Sequence, residues 1–307
     1  MPLHPEIAAF LADLPAPPAG PIDPAALRAA EEAHLAPAGE RLPLHSVRDL
    51  RAPTAAGEVP VRIYTATQAA AHGLLVYFHG GAFFLGSLET HDHVARALAA
   101  ATGLKVVSVG YRLAPEAAFP AGLDDCHAVV RWLAEEGTGL GWDGTTLAVA
   151  GDSSGGNLAA ALVARAHDEG FDRITHQVLY YPSLDLDFDA DRYPSLRENA
   201  TGYGLETAGL KPFNAFYVGS GADPADPLVS PAKRADLRGL PPALVVTAEL
   251  DPLRDEGEAY ARRLREAGVE VELRRYAGAN HGFVQHFSFV PEFHEVFALT
   301  RDFLRTR

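Results

Sequence analysis

The sequence predicts an α/β fold in which a mostly parallel central sheet carries helices on both faces. Two observations lead to this prediction. Apolar runs such as Leu74 to Phe78 and Leu147 to Ala150 show no polar alternation, which is typical of strands covered on both faces. Segments with helical periodicity separate these runs, and strands that alternate with helices form parallel sheets. Residues 46–307 are expected to form this domain.

The first 45 residues are rich in Pro and Ala and contain two short helical candidates. One covers about Glu6 to Leu14. The other begins at Asp23, a good N-cap residue that is followed by proline at the first helical position. Helices this short are unstable alone, so residues 1–45 are expected to lie across the larger domain as part of a cap. Strand-like segments near Leu44 to Leu50 and Val59 to Thr65 then predict an antiparallel start of the sheet.

Strands and helices alternate through the rest of the chain. The expected strands are Leu74 to Phe78, Lys105 to Val109, Leu147 to Ala150, Gln177 to Tyr181, Leu244 to Ala248 and Val269 to Tyr276. The expected helices are His91 to Ala101, Leu123 to Glu135, Asn157 to His167, Pro252 to Ala267 and Pro291 to Leu304. An insertion at 183–217, with a helix expected from Glu206 to Val218, interrupts this rhythm. Insertions between core strands usually lie over the carboxyl edge of the sheet, so this one is expected to complete the cap.

Composition excludes several classes of protein. The formal net charge of −14 argues against nucleic acid or an anionic membrane as a partner. No apolar run approaches the roughly 18 residues that span a bilayer, and no signal-peptide pattern is present. The single cysteine, Cys126, is expected to be a packed core thiol, and its lack of a partner fits a reducing compartment. A cytoplasmic location is expected, and the sequence leaves a homodimer open.

The strongest chemical signal is Gly151-Asp152-Ser153-Ser154-Gly155, which lies between an apolar strand and an Ala-rich helix. A serine on a sharp strand-to-helix turn needs small neighbours, and Gly151 and Gly155 provide them. The free N–H groups of the helix N-terminus suit developing negative charge at Ser153. The pattern by itself is equally compatible with a tight turn that has no chemical role.

A serine hydroxyl needs a base and a residue that orients the base. Asp251 and His281 follow successive predicted strands, so both are expected at the same sheet edge as Ser153, in the chain order Ser, Asp, His. Two alternatives remain: Asp251 could only cap the helix after it, and His286 is a rival for His281.

The segment His79-Gly80-Gly81-Ala82 directly follows a predicted strand. Consecutive glycines allow backbone N–H groups to turn inward without a clashing side chain. Gly80 and Gly81 are therefore candidate oxyanion donors, and the N–H of Ser154 is the third.

Metal and nucleotide sites lack support. His91 and His93 are two residues apart, so on a helix they point to different faces, and no further ligand cluster appears. The first turn of a polar-faced helix is a better explanation of the segment His91-Asp92-His93. No phosphate-binding loop is present, so neither a metal nor a cofactor is expected.

With these residues identified, the chain resembles the hormone-sensitive-lipase-like family of microbial carboxylesterases, an α/β-hydrolase group. Ala82 stands where a third glycine is common in that family. The matching stretches are His79-Gly80-Gly81-Ala82-Phe83, Tyr111-Arg112-Leu113-Ala114-Pro115-Glu116, Gly151-Asp152-Ser153-Ser154-Gly155-Gly156, Asp251-Pro252-Leu253-Arg254-Asp255-Glu256-Gly257 and His281-Gly282-Phe283.

The resemblance implies a function and a role for each candidate. Ser153 would be the nucleophile, His281 the general base and acid, and Asp251 the residue that orients it. A helical cap and hydrolysis of short- to medium-chain acyl esters through a covalent acyl-enzyme, without a cofactor, are also implied. The implied oxyanion donors are Gly80, Gly81 and Ser154.

Two other functions stay open at this stage. One is a non-catalytic binding protein on the same fold, because fold alone does not determine function. The other is an amidase or deacetylase, which differs in the leaving group rather than in any residue of this sequence. Aromatic residues that either line a substrate pocket or belong to the core are Phe83, Phe84, Phe213, Phe216 and Tyr217.

Overall fold

A computed structural model describes residues 2–14, 20–33, 35, 40–55, 57–69, 72–219 and 221–305. Within these ranges, eight strands form one sheet. The strands are β1 (Ser46–Thr54), β2 (Gly57–Thr65), β3 (His72–Phe78), β4 (Lys105–Val109), β5 (Trp142–Asp152), β6 (His176–Tyr180), β7 (Ala243–Leu250) and β8 (Val271–Asn280).

The sheet has the order β1-β2-β4-β3-β5-β6-β7-β8. β1 pairs with β2, and β2 with β4, in antiparallel register, whereas all other neighbouring pairs are parallel. Every residue of β3, β4 and β6 is buried, as expected of strands without polar alternation. The predicted α/β class with an antiparallel start is confirmed.

Helices cover both faces of this sheet. One hydrophobic cluster joins the sheet to α4 (Ala121–Glu136), α5 (Ser154–Asp168) and α8 (Arg254–Glu266), and a second joins its other face to α3 (Asp92–Thr102) and α10 (Pro291–Arg305). No helix of the described ranges combines the length and the apolar character that crossing a membrane requires. The helices are α1 (Pro5–Asp13), α2 (Pro24–Glu32), α3 (Asp92–Thr102), α4 (Ala121–Glu136), α5 (Ser154–Asp168), α6 (Ser195–Glu198), α7 (Thr207–Val218), α8 (Arg254–Glu266), α9 (Phe283–His286) and α10 (Pro291–Arg305).

Element ends differ from the sequence prediction where pairing continues beyond the apolar run. β5 begins at Trp142, five residues before the predicted start, and β8 runs on to Asn280, beyond its predicted end at Tyr276. Helix α8 begins at Arg254 rather than at Pro252, because Asp251 first forms a short turn with the N–H of Leu253. Backbone pairing does not depend on side-chain polarity, so hydrophobic runs underestimate strand length.

The N-terminal helices lie near the predicted positions. Asp23 caps α2 by accepting hydrogen bonds from the N–H groups of Ala25 and Ala26, at 3.0 and 3.2 Å. Ile7 of α1 is fully buried against the second hydrophobic cluster, whereas α2 has no buried residue. Residues 1, 15–19, 34 and 36–39 of the predicted segment 1–45 lie outside the described residues.

Cys126 of α4 is buried in the first hydrophobic cluster, as expected of a core thiol. Burial raises the pKa of this thiol well above its usual value, so the thiolate that reacts with electrophiles is disfavoured.

The close approach of α5 to β3 gives the first prediction. A Cβ atom at Gly155 would overlap the carbonyl oxygen of Phe78, so Gly155→Ala forces the backbone apart. We expect this substitution to lower the free energy of unfolding by at least about 2 kcal/mol. Urea unfolding followed by circular dichroism measures the change.

The matched control is Gly139→Ala, because a Cβ at this exposed position meets no atom within 4 Å. This variant should stay within about 0.5 kcal/mol of the wild type. Equal stability of both variants would contradict the close approach.

Candidate active site

Ser153 lies on the sharp turn between β5 and α5. Its φ of +54° and ψ of −118° place a non-glycine residue in a rarely populated region, as the strand–turn–helix prediction requires. The end of β6 holds this turn: the Ser153 N–H donates to the carbonyl of Tyr180 at 2.9 Å, and its carbonyl accepts from the N–H of Ser183 at 3.1 Å. The side chain of Ser153 is only partly buried, so its hydroxyl remains accessible.

The three residues predicted to act together do meet. Oγ of Ser153 is 2.9 Å from Nε2 of His281, and Nδ1 of His281 is 2.8 Å from Oδ2 of Asp251. Because an ionised carboxylate only accepts hydrogen bonds, we assign the proton to Nδ1 of His281. Nε2 is then an acceptor, and the Ser153 hydroxyl donates to it.

Asp251 faces His281 and does not cap α8, whose N-cap residue is Leu253, so the capping alternative is wrong. Its Oδ1 accepts from the N–H of Leu253 at 2.8 Å, while Oδ2 faces His281. The carboxylate is fully buried, and the side-chain amide of Asn199 donates to the Asp251 carbonyl at 3.0 Å. The aspartate thus shapes the turn before α8 and fixes the imidazole with separate oxygen atoms.

The imidazole that is hydrogen-bonded to Oγ of Ser153 is that of His281, not that of the rival histidine His286. His286 lines the same cavity, but its ring stacks on Phe10 with ring centres 6.4 Å apart. His281 instead packs edge-on against the ring of Tyr181, with ring centres 4.9 Å apart.

The turn after β3 corrects one of the predicted oxyanion donors. The N–H of Gly80 donates to Oδ1 of Asp152 at 2.9 Å, so it is not available to a ligand, and the prediction for Gly80 is wrong. The next two N–H groups, of Gly81 and Ala82, have no acceptor among the described residues, and both residues line the cavity beside Ser154. Sequence reasoning missed Ala82 because it took consecutive glycines as the signal for inward-facing N–H groups, although alanine carries the same backbone N–H.

Above these groups is a cavity of about 440 Å³, within the usual size range of small-molecule sites. Its base contains Ser153 and His281. Among the described residues, Asp152 is the only acidic residue in the lining, and no lysine or arginine lines the cavity. The cavity wall is otherwise largely apolar, so it suits a ligand without negative charge.

The predicted aromatic residues divide into two groups. Phe84 and Phe213 line the cavity. Phe83 and Tyr217 do not: both are buried, and their rings stack 3.7 Å apart as part of the core, so the pocket prediction is wrong for them. Phe216 also lies outside the cavity wall and packs behind Phe84, with ring centres 4.9 Å apart.

The N-terminal helices contribute side chains that the sequence analysis did not single out. Phe10, Leu11, Leu14 and Leu27 form part of the cavity wall, which also includes Leu210 of α7. The spacing of Ile7, Leu11 and Leu14 by four and three residues is the helical signal that could have found this apolar face.

The polar-face interpretation of residues 91–93 is wrong for two of them. His91 and Asp92 are buried, and Asp92 is paired with Arg96 at 2.5 Å and with the hydroxyl of Tyr64 at 3.0 Å. Among the described residues, no group of three or more His, Cys, Asp or Glu side chains is arranged to hold a metal ion.

Comparison with known proteins adds a family to this geometry. A family model described as alpha/beta hydrolase fold matches residues 75–285. The chain is 44% identical to Carboxylesterase NlhH of Mycobacterium tuberculosis over 239 residues, which cover 76% of this chain and 74% of that protein. It is 39% identical to the ethyl acetate hydrolase of Pseudomonas putida over 274 residues, covering 87% and 85% of the two chains.

A solved structure of an esterase matches nearly the whole chain. The hyperthermophilic esterase from the archaeon Pyrobaculum calidifontis superposes with a TM-score of 0.88 at 38% identity, covering 99% of this chain and 98% of that one.

Proposed function

Because the chain belongs to the α/β hydrolase fold family, we propose that it is a serine carboxylesterase that hydrolyses short- to medium-chain acyl esters. The observation that carries this proposal is the line of hydrogen bonds from Asp251 through His281 to Ser153 at the base of an apolar cavity. Relatives named carboxylesterase and ethyl acetate hydrolase support the same reaction class.

In the first step, Oγ of Ser153 attacks the ester carbonyl carbon while Nε2 of His281 takes the hydroxyl proton. The imidazolium that forms is stabilised by Asp251, which also keeps the ring in the required orientation. The carbonyl oxygen becomes an oxyanion. When the tetrahedral intermediate collapses, the alcohol leaves with the proton from His281, and the acyl group remains on Ser153.

We assign the oxyanion to the N–H groups of Gly81, Ala82 and Ser154. The first two have no acceptor among the described residues, and the third lies at the N-terminus of α5, where the helix dipole favours negative charge. Ala82 takes the place that the sequence analysis gave to Gly80.

In the second step, water releases the acyl group from Ser153, and His281 again acts first as a base and then as an acid. Water attacks the acyl-enzyme carbonyl, and His281 takes a proton from that water. The carboxylic acid leaves as His281 returns the proton to Oγ of Ser153, so neither a cofactor nor a metal is needed.

The cavity supports the proposed substrate class. Its volume accommodates an ester with a short or medium acyl chain, and its apolar wall gains free energy by removing that chain from water. An anionic substrate would find no lysine or arginine of the described ranges in the cavity wall to balance its charge.

We also propose that α1, α2 and the insertion at 183–217 act as the cap. Helix α2 has no buried residue, and one of the residues that hold it is Arg28, whose guanidinium donates to the carbonyls of Phe84 at 2.7 Å and Ala114 at 2.6 Å. Arg28 also forms two hydrogen bonds of 2.9 Å with the carboxylate of Glu116. These contacts place Leu27 in the cavity wall.

The proposed nucleophile gives a direct prediction. Ser153→Ala removes the attacking oxygen, so we expect kcat on p-nitrophenyl acyl esters to fall by about 10⁴-fold or more. Wild-type turnover should peak at short or medium chains. Ser46→Ala, at the start of β1, is the control and should retain wild-type kcat.

Turnover that survives in Ser153→Ala would assign the chemistry to another residue. A folded wild type that hydrolyses none of the series, and binds its members without turnover, would instead favour the binding-protein alternative.

The Arg28 contacts predict a change in specificity. In Arg28→Ala we expect KM for an octanoate ester to rise about fivefold, because Leu27 is no longer held against the acyl chain. The kcat for an acetate ester should stay within about twofold, because a short chain does not reach this wall. Steady-state kinetics across the acyl series measures both quantities.

Arg51→Ala, on an exposed position of β1, removes an arginine away from the cavity and should leave the KM for the octanoate ester and the kcat for the acetate ester unchanged. Identical chain-length profiles for Arg28→Ala and wild type would mean that α2 does not shape the acyl site.

A further inference from the structure

The turn that carries two of the proposed oxyanion donors is conformationally strained. Gly81, Ala82 and Phe83 have φ values of +121°, +49° and +65°, so three successive residues have left-handed backbone. For residues with a side chain, such conformations are energetically unfavourable and persist only when the surroundings hold them. The direction of the Gly81 and Ala82 N–H groups therefore depends on contacts from outside the turn.

Two of these contacts come from the residues on either side of Ser153. Oδ1 of Asp152 accepts from the N–H of Gly80 at 2.9 Å, just before the strained residues. Oγ of Ser154 accepts from the N–H of Phe83 at 3.2 Å, at their end. The free N–H groups of the turn lie between these two anchors.

The Asp152 carboxylate is built into the protein rather than exposed to water. Its side chain is 2% exposed, and the hydroxyl of Tyr77 donates to the same Oδ1 at 2.5 Å. Burial favours the neutral acid, but nearby His91 and the Tyr77 hydroxyl outweigh it, so the pKa of Asp152 lies below its usual value. Nε2 of His91 is 3.7 Å from Oδ2 and has no hydrogen-bond partner among the described residues.

Gly80 must be small for this arrangement. A Cβ at this position would lie 2.5 Å from Oδ2 of Asp152, so a side chain there would separate the turn from the carboxylate. The close approach explains the glycine even though its N–H is not an oxyanion donor.

We propose that Asp152 and Ser154 are positioning residues that clamp the two ends of the turn 80–83, so that the N–H groups of Gly81 and Ala82 face the substrate carbonyl oxygen. This inference rests on the proposed esterase function. The clamp links the oxyanion turn to the same segment that carries the nucleophile, and a shift in one is therefore transmitted to the other.

The test compares Asp152→Ala with Asp152→Asn. Asparagine keeps an acceptor for Gly80 and Tyr77, whereas alanine removes it. We expect kcat for p-nitrophenyl butyrate to fall at least tenfold in Asp152→Ala, towards the roughly 10²–10³-fold loss seen when an oxyanion donor is removed. KM should stay within about twofold, and Asp152→Asn should recover most of the lost kcat.

Ser154→Ala tests the other anchor, because it removes Oγ but keeps the N–H of residue 154. We expect a threefold to tenfold fall in kcat with KM unchanged. Tyr77→Phe is the matched comparison: it removes a hydrogen bond to Oδ1 of Asp152 but none to the turn, so it should lower Tm while kcat stays within about threefold.

Several results would overturn the clamp. They are wild-type kcat in Asp152→Ala, an equal loss in Asp152→Ala and Asp152→Asn, and an effect confined to KM. If Asp152→Ala does not fold, Asp152→Ser replaces it, because its hydroxyl is one atom too short to reach Gly80. Failure of the esterase proposal can be told apart from failure of the clamp, because the wild type itself would then show no turnover that depends on Ser153.

Discussion

The site depends on one backbone constraint, the close packing of the Ser153 turn against its neighbouring strands. A Cβ at Gly155 would overlap the carbonyl of Phe78, and a Cβ at Gly156 would lie 2.8 Å from Pro182. The N-terminus of α5 therefore lies directly against the end of β3, where the turn 80–83 begins. Because Gly155 and Gly156 have no side chains, the strained Ser153, the N-terminus of α5 and the free N–H groups of that turn lie close together.

The parallel part of the sheet supplies the remaining groups. β7 and β8 run parallel to β5 and β6, so Asp251 and His281 follow them at the edge where Ser153 is exposed. Burial of Asp251 removes water that would compete for its carboxylate, which strengthens its hydrogen bond to His281. The insertion at 183–217 is tied to this edge by hydrogen bonds, because the side-chain amide of Asn199 donates to the carbonyl of Asp251 and the N–H of Ser183 donates to the carbonyl of Ser153.

The fold and the meeting of Ser153, Asp251 and His281 were predictable because they follow from local patterns and from the geometry of parallel strands. Apolar runs define the strands, and successive strand ends meet at one edge. The donor role of Gly80 was mispredicted because the direction of its N–H is set by Asp152, which lies 72 residues further along the chain. The burial of Phe83 against Tyr217 also depends on distant packing, so residue type alone could not separate core aromatics from cavity aromatics.

The central claim is that Ser153 forms a covalent acyl-enzyme, and reaction with a fluorophosphonate probe tests it most directly. The probe phosphonylates a serine activated by a neighbouring base and stops at that stage. Intact-protein mass spectrometry should show one adduct per chain, and peptide mapping should place it on Ser153. A folded protein that forms no adduct, or an adduct on a residue other than Ser153, would contradict the account.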